Sequence, residues 1–302
     1  MSSLSASAKA VESHASDAAL IIDETQFQMN FDRAPFLIQH TLTDHPLFAL
    51  DRLLRLARNL PQKSIEYNAG NLEIGCDPEM TPRTGLSAEE TVRRIEECQS
   101  WMVIKNAEQD PEYAGLLQGC LNVVRQYSEP KWPGMVNMEC FIFLSSPGSI
   151  TPYHMDPEHN FLLQIRGRKY MTLFDRSLVS GEELEKFHNG AHRNMVFKDE
   201  YLEKSVTFQI DPGNGLYVPS TAPHFVRNGP DVSVSFSITF RTHDLETKSL
   251  AHVANRRMRS LGLRPAPVGQ SPARDVMKIM IYRIWRKSLT LARMVGLASS
   301  PR

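Results

Sequence analysis

The spacing of apolar residues along this chain changes period twice. From Asp44 to Pro61 it is helical: Leu47, Leu50, Leu53, Leu54, Ala57 and Leu60 recur on one face, Asp51 and Arg55 stand four apart, and Pro46 and Pro61 bracket the run. A loop rich in Gly and Pro follows. Ser87 and Glu90 then have the spacing of a capping box and predict a helix to about Gln99, Trp101 to Ile104 predicts a short strand, and Asp110-Pro111 opens a third helix through Leu116, Leu117, Leu121 and Val124. From Met138 the period becomes two. Asn137 to Leu144, Asn160 to Ile165 and Lys169 to Phe174 read as strands, and Gly167 predicts that the last two form a hairpin. Ser180 with Glu183 predicts a helical insertion, and strands resume at Val206 to Ile210 and Leu216 to Val218. In the final strand Val232, Val234, Phe236, Ile238 and Phe240 alternate with Ser233, Ser235, Ser237, Thr239 and Arg241, the pattern of a half-buried strand with one apolar and one hydroxylated face. After Thr242 the period is helical again, over Leu245 to Leu261 and Asp275 to Val295, with Pro265 and Pro267 between.

Several neighbouring strands without long helices between them predict a mainly β core, an antiparallel sandwich or barrel, flanked by helices at both ends. The 302 residues suffice for one large domain with appendages or two small ones. The reading divides the chain into a disordered segment 1–25, a helical part 26–134 packing on the barrel, a core 135–242 and a basic helical region 243–302.

Charge sharpens the last boundary. Residues 241–302 carry 13 Lys and Arg against 3 Asp and Glu, +10, while residues 1–240 carry 21 against 31, −10. On the last helix Met277, Met280, Ile281, Ile284, Trp285 and Leu291 share a broad arc, and Lys278, Arg283, Arg286, Lys287 and Arg293 occupy most of the opposite one. Such a helix suits a homodimer partner, an acidic protein or an anionic membrane surface. Nucleic acid is disfavoured, because the basic tail lacks interleaved aromatics and any recognisable motif. No apolar run is long enough to span a bilayer, and Ala18 to Ile22 is too short for a signal peptide. Cys76, Cys98, Cys120 and Cys140 form no Cys-x-x-Cys pair, which predicts reduced thiols and a cytoplasmic protein.

The candidate chemistry lies between Thr151 and Lys169. His154 and Asp156 are two apart, so on extended backbone they project to one side, and with His224 they can make the two-histidine, one-carboxylate face that holds iron(II) with coordination positions open. The run Thr-Pro-x-His-x-Asp-x-x-x-Asn-Phe-x-x-Gln-Ile-x-Gly-x-Lys resembles the JmjC and cupin-like iron(II), 2-oxoglutarate-dependent oxygenases. It is most similar to the branch containing the asparaginyl hydroxylase that inhibits hypoxia-inducible factor. The resemblance implies a double-stranded β-helix (jelly-roll) core over roughly residues 135–241. It also implies His154, Asp156 and His224 as metal ligands, Lys169 and Thr151 on the distal carboxylate of 2-oxoglutarate, and Asn160 lining the same pocket. Arg241, on the strand after His224, is the rival anchor. Lys169 is preferred because the match fixes it without a gap and because Arg241 stands at a strand end, where solvation is expected. His159 reads as a residue behind the ligands or at the surface, His188 and His192 as a solvated loop, and Arg166 and Arg168 as exposed hairpin-tip charges.

The reaction implied is hydroxylation of an unactivated C–H bond, coupled to oxidative decarboxylation of 2-oxoglutarate by O2. A protein or peptide side chain is the favoured substrate; a small molecule or an anionic lipid or saccharide is the alternative. Ala222-Pro223 replaces a tryptophan pair of the relative, and Ser235, Ser237 or Thr239 stands where the family often has asparagine, so the substrate side of the pocket differs. Lysine demethylation lies within the same chemistry. A non-enzymatic cupin-like binding module would usually have lost a ligand or the co-substrate cation, and this chain retains all of them.

Overall fold

A computed structural model describes residues 19–294 apart from 78–80, 83, 130 and 192–194. In chain order its elements are β1 (Leu20–Ile21), α1 (Glu24–Asn30), β2 (Phe36–His40), α2 (Leu50–Asn59), β3 (Ile65–Ala69), α3 (Ala88–Arg93), β4 (Ser100–Ile104), α4 (Pro111–Ser128), β5 (Val136–Ser145), β6 (Ile150–His154), β7 (His159–Arg166) and β8 (Lys169–Phe174). There follow α5 (Gly181–His188), β9 (Ser205–Ile210), β10 (Asn214–Val218), β11 (His224–Asn228), β12 (Ser233–Arg241), α6 (His243–Ser260) and α7 (Pro272–Met294). The strands form an eight-stranded sheet in the order β1-β2-β10-β7-β12-β5-β4-β3 and a four-stranded sheet β6-β11-β8-β9, with antiparallel pairing throughout.

Two hydrophobic layers hold the sheets in place. Between them, Leu162, Leu216 and Val218 of the large sheet meet Met171, Leu173, Ile210 and Val226 of the small one. Behind the large sheet, Phe236, Ile238 and Phe240 of β12 pack with Phe27 and Phe31, with Leu53 and Leu56 of α2, and with Leu117 and Leu121 of α4. The final strand is therefore not half-buried. Its serines, at 0–1% exposure, line the space between the sheets while its apolar residues face the helices. Hydroxyls can fill an interior face because each finds a partner there, as described below.

Gly167 does not make a hairpin. β7 pairs with β10 and β12, β8 pairs with β9 and β11, and Gly167 carries the chain from one sheet to the other. Its φ of 70° and the 2.4 Å separation that a Cβ would have from the Val232 carbonyl oxygen require glycine at this corner.

The N-terminal part also departs from expectation. Residues 1–18 lie outside the described residues, but Leu20 and Ile21, expected to be disordered, pair with His40 and Gln39, and the Asp23 side chain caps α1. Burial of Leu20 at 2% exposure gives this short segment its anchor. The part expected to be helical, 26–134, supplies β2 to β4 and so, with β1, extends both edges of the large sheet. Helix α2 begins at Leu50, after a short 3-10 turn at Pro46–Phe48 and an extended Ala49. The capping boxes at Ser87 and Ser180 form as read. Among the described residues, no helix is long and apolar enough to cross a membrane.

Candidate metal and co-substrate centre

His154 ends β6 and His224 begins β11, and antiparallel pairing sets them directly opposite each other. Their rings lie 4.2 Å apart, and each Nε2 is 3.7 Å from Oδ2 of Asp156. One potential ligand atom from each of the three residues lies within 4.8 Å of the others. The remaining ring nitrogens are committed: Nδ1 of His154 to the Pro152 carbonyl at 2.7 Å, and Nδ1 of His224 to the Ala222 carbonyl at 2.9 Å. A carbonyl oxygen only accepts, so each Nδ1 carries the proton and each Nε2 turns a lone pair inward. Two neutral imidazoles and a carboxylate with a common focus fit a divalent transition metal. The loop before His224 is tied to Asp156 directly, because the Thr221 N–H donates to the Asp156 carbonyl at 2.7 Å. Thr221 holds this position at φ 57°, a costly conformation for a β-branched residue.

A register shift brings Thr151 into the same space. His224 opposes His154, but Val226 opposes Thr151, so β6 carries one extra residue. Residues three apart on a regular strand face opposite ways, and the bulge turns Thr151 to the face of His154. Asn160 lies across the interior on β7, its Oδ1 accepting from Ser237 Oγ at 2.7 Å. Lys169 starts β8, opposite Asn228 and Ile210, and is 3% exposed. Among the described residues its ammonium has no carboxylate partner, and the Phe143 ring lies 5.5 Å away. Burial pushes its pKa down to about 7.

Arg241 is not the solvated residue expected. It pairs with Glu158 at 2.7 Å and Glu246 at 2.9 Å, which occupies its guanidinium. His159 is 1% exposed on the helix-facing side of β7, tilted against the Phe31 ring and bonded through Nδ1 to the Tyr217 hydroxyl at 2.9 Å; burial holds its pKa down at about 4. It belongs to the apolar core because alternation from Asn160 turns it away from the metal face. His188 is part of α5 rather than a loop, bonded to Ser249 at 2.9 Å and stacked on His252, while His192 lies outside the described residues. Arg166 is exposed, and Arg168 pairs with Asp211 at the corner between the sheets.

Three interior groups were missed. Gln164 donates to Ser233 Oγ at 2.9 Å and accepts from Ser235 Oγ at 2.8 Å, so it explains the hydroxylated face of β12. Asn228 donates to the Ser149 carbonyl at 3.0 Å, yet among the described residues its buried Oδ1 has no partner, and neither has Trp101 Nε1 on β4. Asn228 could have been found by stepping in twos from His224 along β11.

Known proteins resemble this chain in part of its sequence and in its fold. Residues 123–247 match the family model described as the JmjC domain. JmjC domain-containing protein D of Dictyostelium discoideum is 32% identical over 142 residues, 42% of this chain and 29% of that protein. Lysine-specific demethylase 8 of Xenopus tropicalis is 31% identical over 104 residues, 31% of this chain and 22% of that one. The chain thus spans less than a third of the length of either relative. Among solved structures, E. coli ycfD superposes with a TM-score of 0.53 at 16% identity, covering 88% of this chain and 68% of that one. A structure of the Escherichia coli ribosomal oxygenase YcfD gives 0.50 at 15% identity, covering 88% and 67%. The core is a double-stranded β-helix of the cupin type. More particularly, residues 123–247 are similar to the JmjC domain, the class that the Thr151–Lys169 run resembles.

Proposed function

We propose that this protein is an iron(II)- and 2-oxoglutarate-dependent dioxygenase that hydroxylates an unactivated C–H bond, with residues 135–242 as its catalytic core. The observation that carries the reading is the conjunction of an inward-facing His154–Asp156–His224 set with a buried lysine that has no anionic partner among the described residues. Burying an unpaired ammonium costs several kcal/mol or forces it to give up its proton, so a fold that keeps one is built for an anion that arrives later. Iron(II) with 2-oxoglutarate and O2 supplies the oxidising chemistry and releases succinate and carbon dioxide. His154, Asp156 and His224 hold the metal. Lys169 and Thr151 take the distal carboxylate of the co-substrate, Asn160 lines its pocket, and the dry interior strengthens each of these contacts. The Glu158 and Glu246 pairing of Arg241 supports Lys169 over Arg241 as the anchor.

A protein or peptide side chain is the substrate class we favour, supported by the JmjC match and by structural neighbours titled ribosomal oxygenase. Relatives named lysine-specific demethylases keep demethylation open as the outcome of the same hydroxylation step. The four cysteines are unpaired, which supports a cytoplasmic location. The test is spectroscopic and chemical. Anaerobic addition of iron(II) and 2-oxoglutarate should give a weak visible charge-transfer band, and air should then yield succinate; absence of both would refute the proposal. Mass spectrometry of cells with wild-type protein or Asp156→Ala would identify the substrate, a one-oxygen gain indicating hydroxylation and loss of a methyl group demethylation.

A further inference from the structure

Helix α7 is fastened to the body by a side that buries the ion pair Asp275–Lys278 together with Ile279. Asp275 and Lys278 are buried and bonded to each other at 3.0 Å; Asp275 also accepts from the Gly269 N–H at 2.7 Å, and the Lys278 ammonium donates to the Ala266 carbonyl at 2.7 Å. Ile279 is buried in the same arc, and Trp285 lies beneath the Arg257 guanidinium at 4.2 Å. The opposite arc is apolar and open: Val276, Met277, Met280, Ile281 and Ile284 are 51–66% exposed. At 3.6 residues per turn these five span an arc of about 140°. A surface helix ordinarily turns such a stripe to the core, so this orientation leaves an aliphatic ridge for something outside the chain.

The charges around the ridge select the occupant. Arg274, Arg283, Arg286 and Lys287 are exposed, and the one acidic residue between Pro272 and Met294 is the buried Asp275. A second copy laid ridge to ridge would set these cations against the same cations with no exposed acid on the helix to answer them. An anionic bilayer answers both features at once, because headgroup phosphates take the cations while the acyl boundary takes the ridge. The ridge is convex and aliphatic, the shape of an interfacial helix, and the helix is not apolar enough to cross. The +10 of residues 241–302 against the −10 of residues 1–240 orients the molecule with its acidic body away from the lipid.

We infer that α7 lies flat on an anionic lipid bilayer, its Val276–Ile284 ridge in the acyl boundary and its arginines at the phosphates. The test is co-sedimentation of the full chain with vesicles of phosphatidylcholine alone or mixed with phosphatidylglycerol, at low and high ionic strength. Wild type should pellet with the mixed vesicles at low ionic strength and not with phosphatidylcholine alone. Arg283→Gln with Lys287→Gln should weaken partitioning roughly 30-fold, at about a fivefold effect per cation. Ile281→Gln with Ile284→Gln should weaken it about 10-fold or more through lost apolar burial. All four positions are exposed, so unchanged melting temperature and metal binding identify folded variants. The inference is overturned if wild type fails to pellet or pellets equally with both vesicles. It is also overturned if the protein sediments as a dimer that the isoleucine variant makes monomeric.

Discussion

Lys169→Met isolates the anion-binding role proposed for the buried lysine, because methionine keeps most of the aliphatic volume and removes the charge. In the folded protein burial lowers the ammonium pKa from 10.5 to about 7. By linkage, the unfolded chain binds more protons between pH 7 and 10.5, so this lysine makes the wild-type protein gain stability as pH rises through that window and leaves it flat below. The interval corresponds to a ceiling of about 4–5 kcal/mol at pH 7, and relaxation with water entry reduces the realised cost to about 1–4 kcal/mol. The metal-free Lys169→Met protein should therefore be more stable than wild type at pH 7, with the gap closing as pH approaches 10. Urea unfolding of both proteins across that range measures it. The same substitution should raise the apparent 2-oxoglutarate constant about 100-fold or more, since a dianion loses its buried cation at a cost of about 3–5 kcal/mol. Succinate formation against 2-oxoglutarate concentration reads that arm. A variant that is less stable than wild type at pH 7, or that keeps its 2-oxoglutarate constant within threefold, would refute the reasoning.

Three further outcomes follow from the same geometry. Asp156→Ala should abolish tight binding of cobalt(II), read by titration calorimetry, while thermal unfolding of the metal-free protein moves little, because the carboxylate is partly exposed. Arg241→Ala should change the apparent 2-oxoglutarate constant by less than about threefold but lower stability by about 1–3 kcal/mol in urea, since Glu158, whose carboxyl burial pushes above its ordinary range, loses its partner. Gly167→Ala should cost at least about 2 kcal/mol by the same measurement, because φ stays positive and the new methyl meets the Val232 carbonyl.

Much of the site was legible because it is local. His154 and Asp156 are two apart on extended backbone, Lys169 falls in the same ungapped run, and the alternation from Val232 to Arg241 marks the strand that backs the pocket. What the chain could not disclose was pairing. Asn160–Ile165 and Lys169–Phe174 flank a glycine as hairpin strands do, and nothing local says that Gly167 sends the second strand to the other sheet, because the deciding contact is with Val232, far away in sequence. Thr151 illustrates the reverse case: the motif assigned it to the pocket although its three-residue spacing from His154 argues for the opposite face, and the bulge on β6 resolves the conflict.

The two sheets divide the chemistry between them. The small sheet contributes His154, His224, Thr151 and Lys169, all on β6, β11 and β8, while the large sheet contributes neutral hydrogen-bonding groups in Asn160, Gln164 and the serines of β12. Those groups are largely paired with one another, so they fix the interior wall without offering competing metal ligands. Asn228, whose Oδ1 has no partner among the described residues, stands instead opposite Lys169 in register, four residues along β11 from His224. On the proposed reading, one strand, β11, thus carries a metal ligand at its first residue, His224, and a neighbour of the co-substrate anchor at its last, Asn228. Its five residues separate His224 from the end of the interior where Lys169 lies, so the proposed metal face and the proposed anion-binding end would be held at a fixed spacing by one strand.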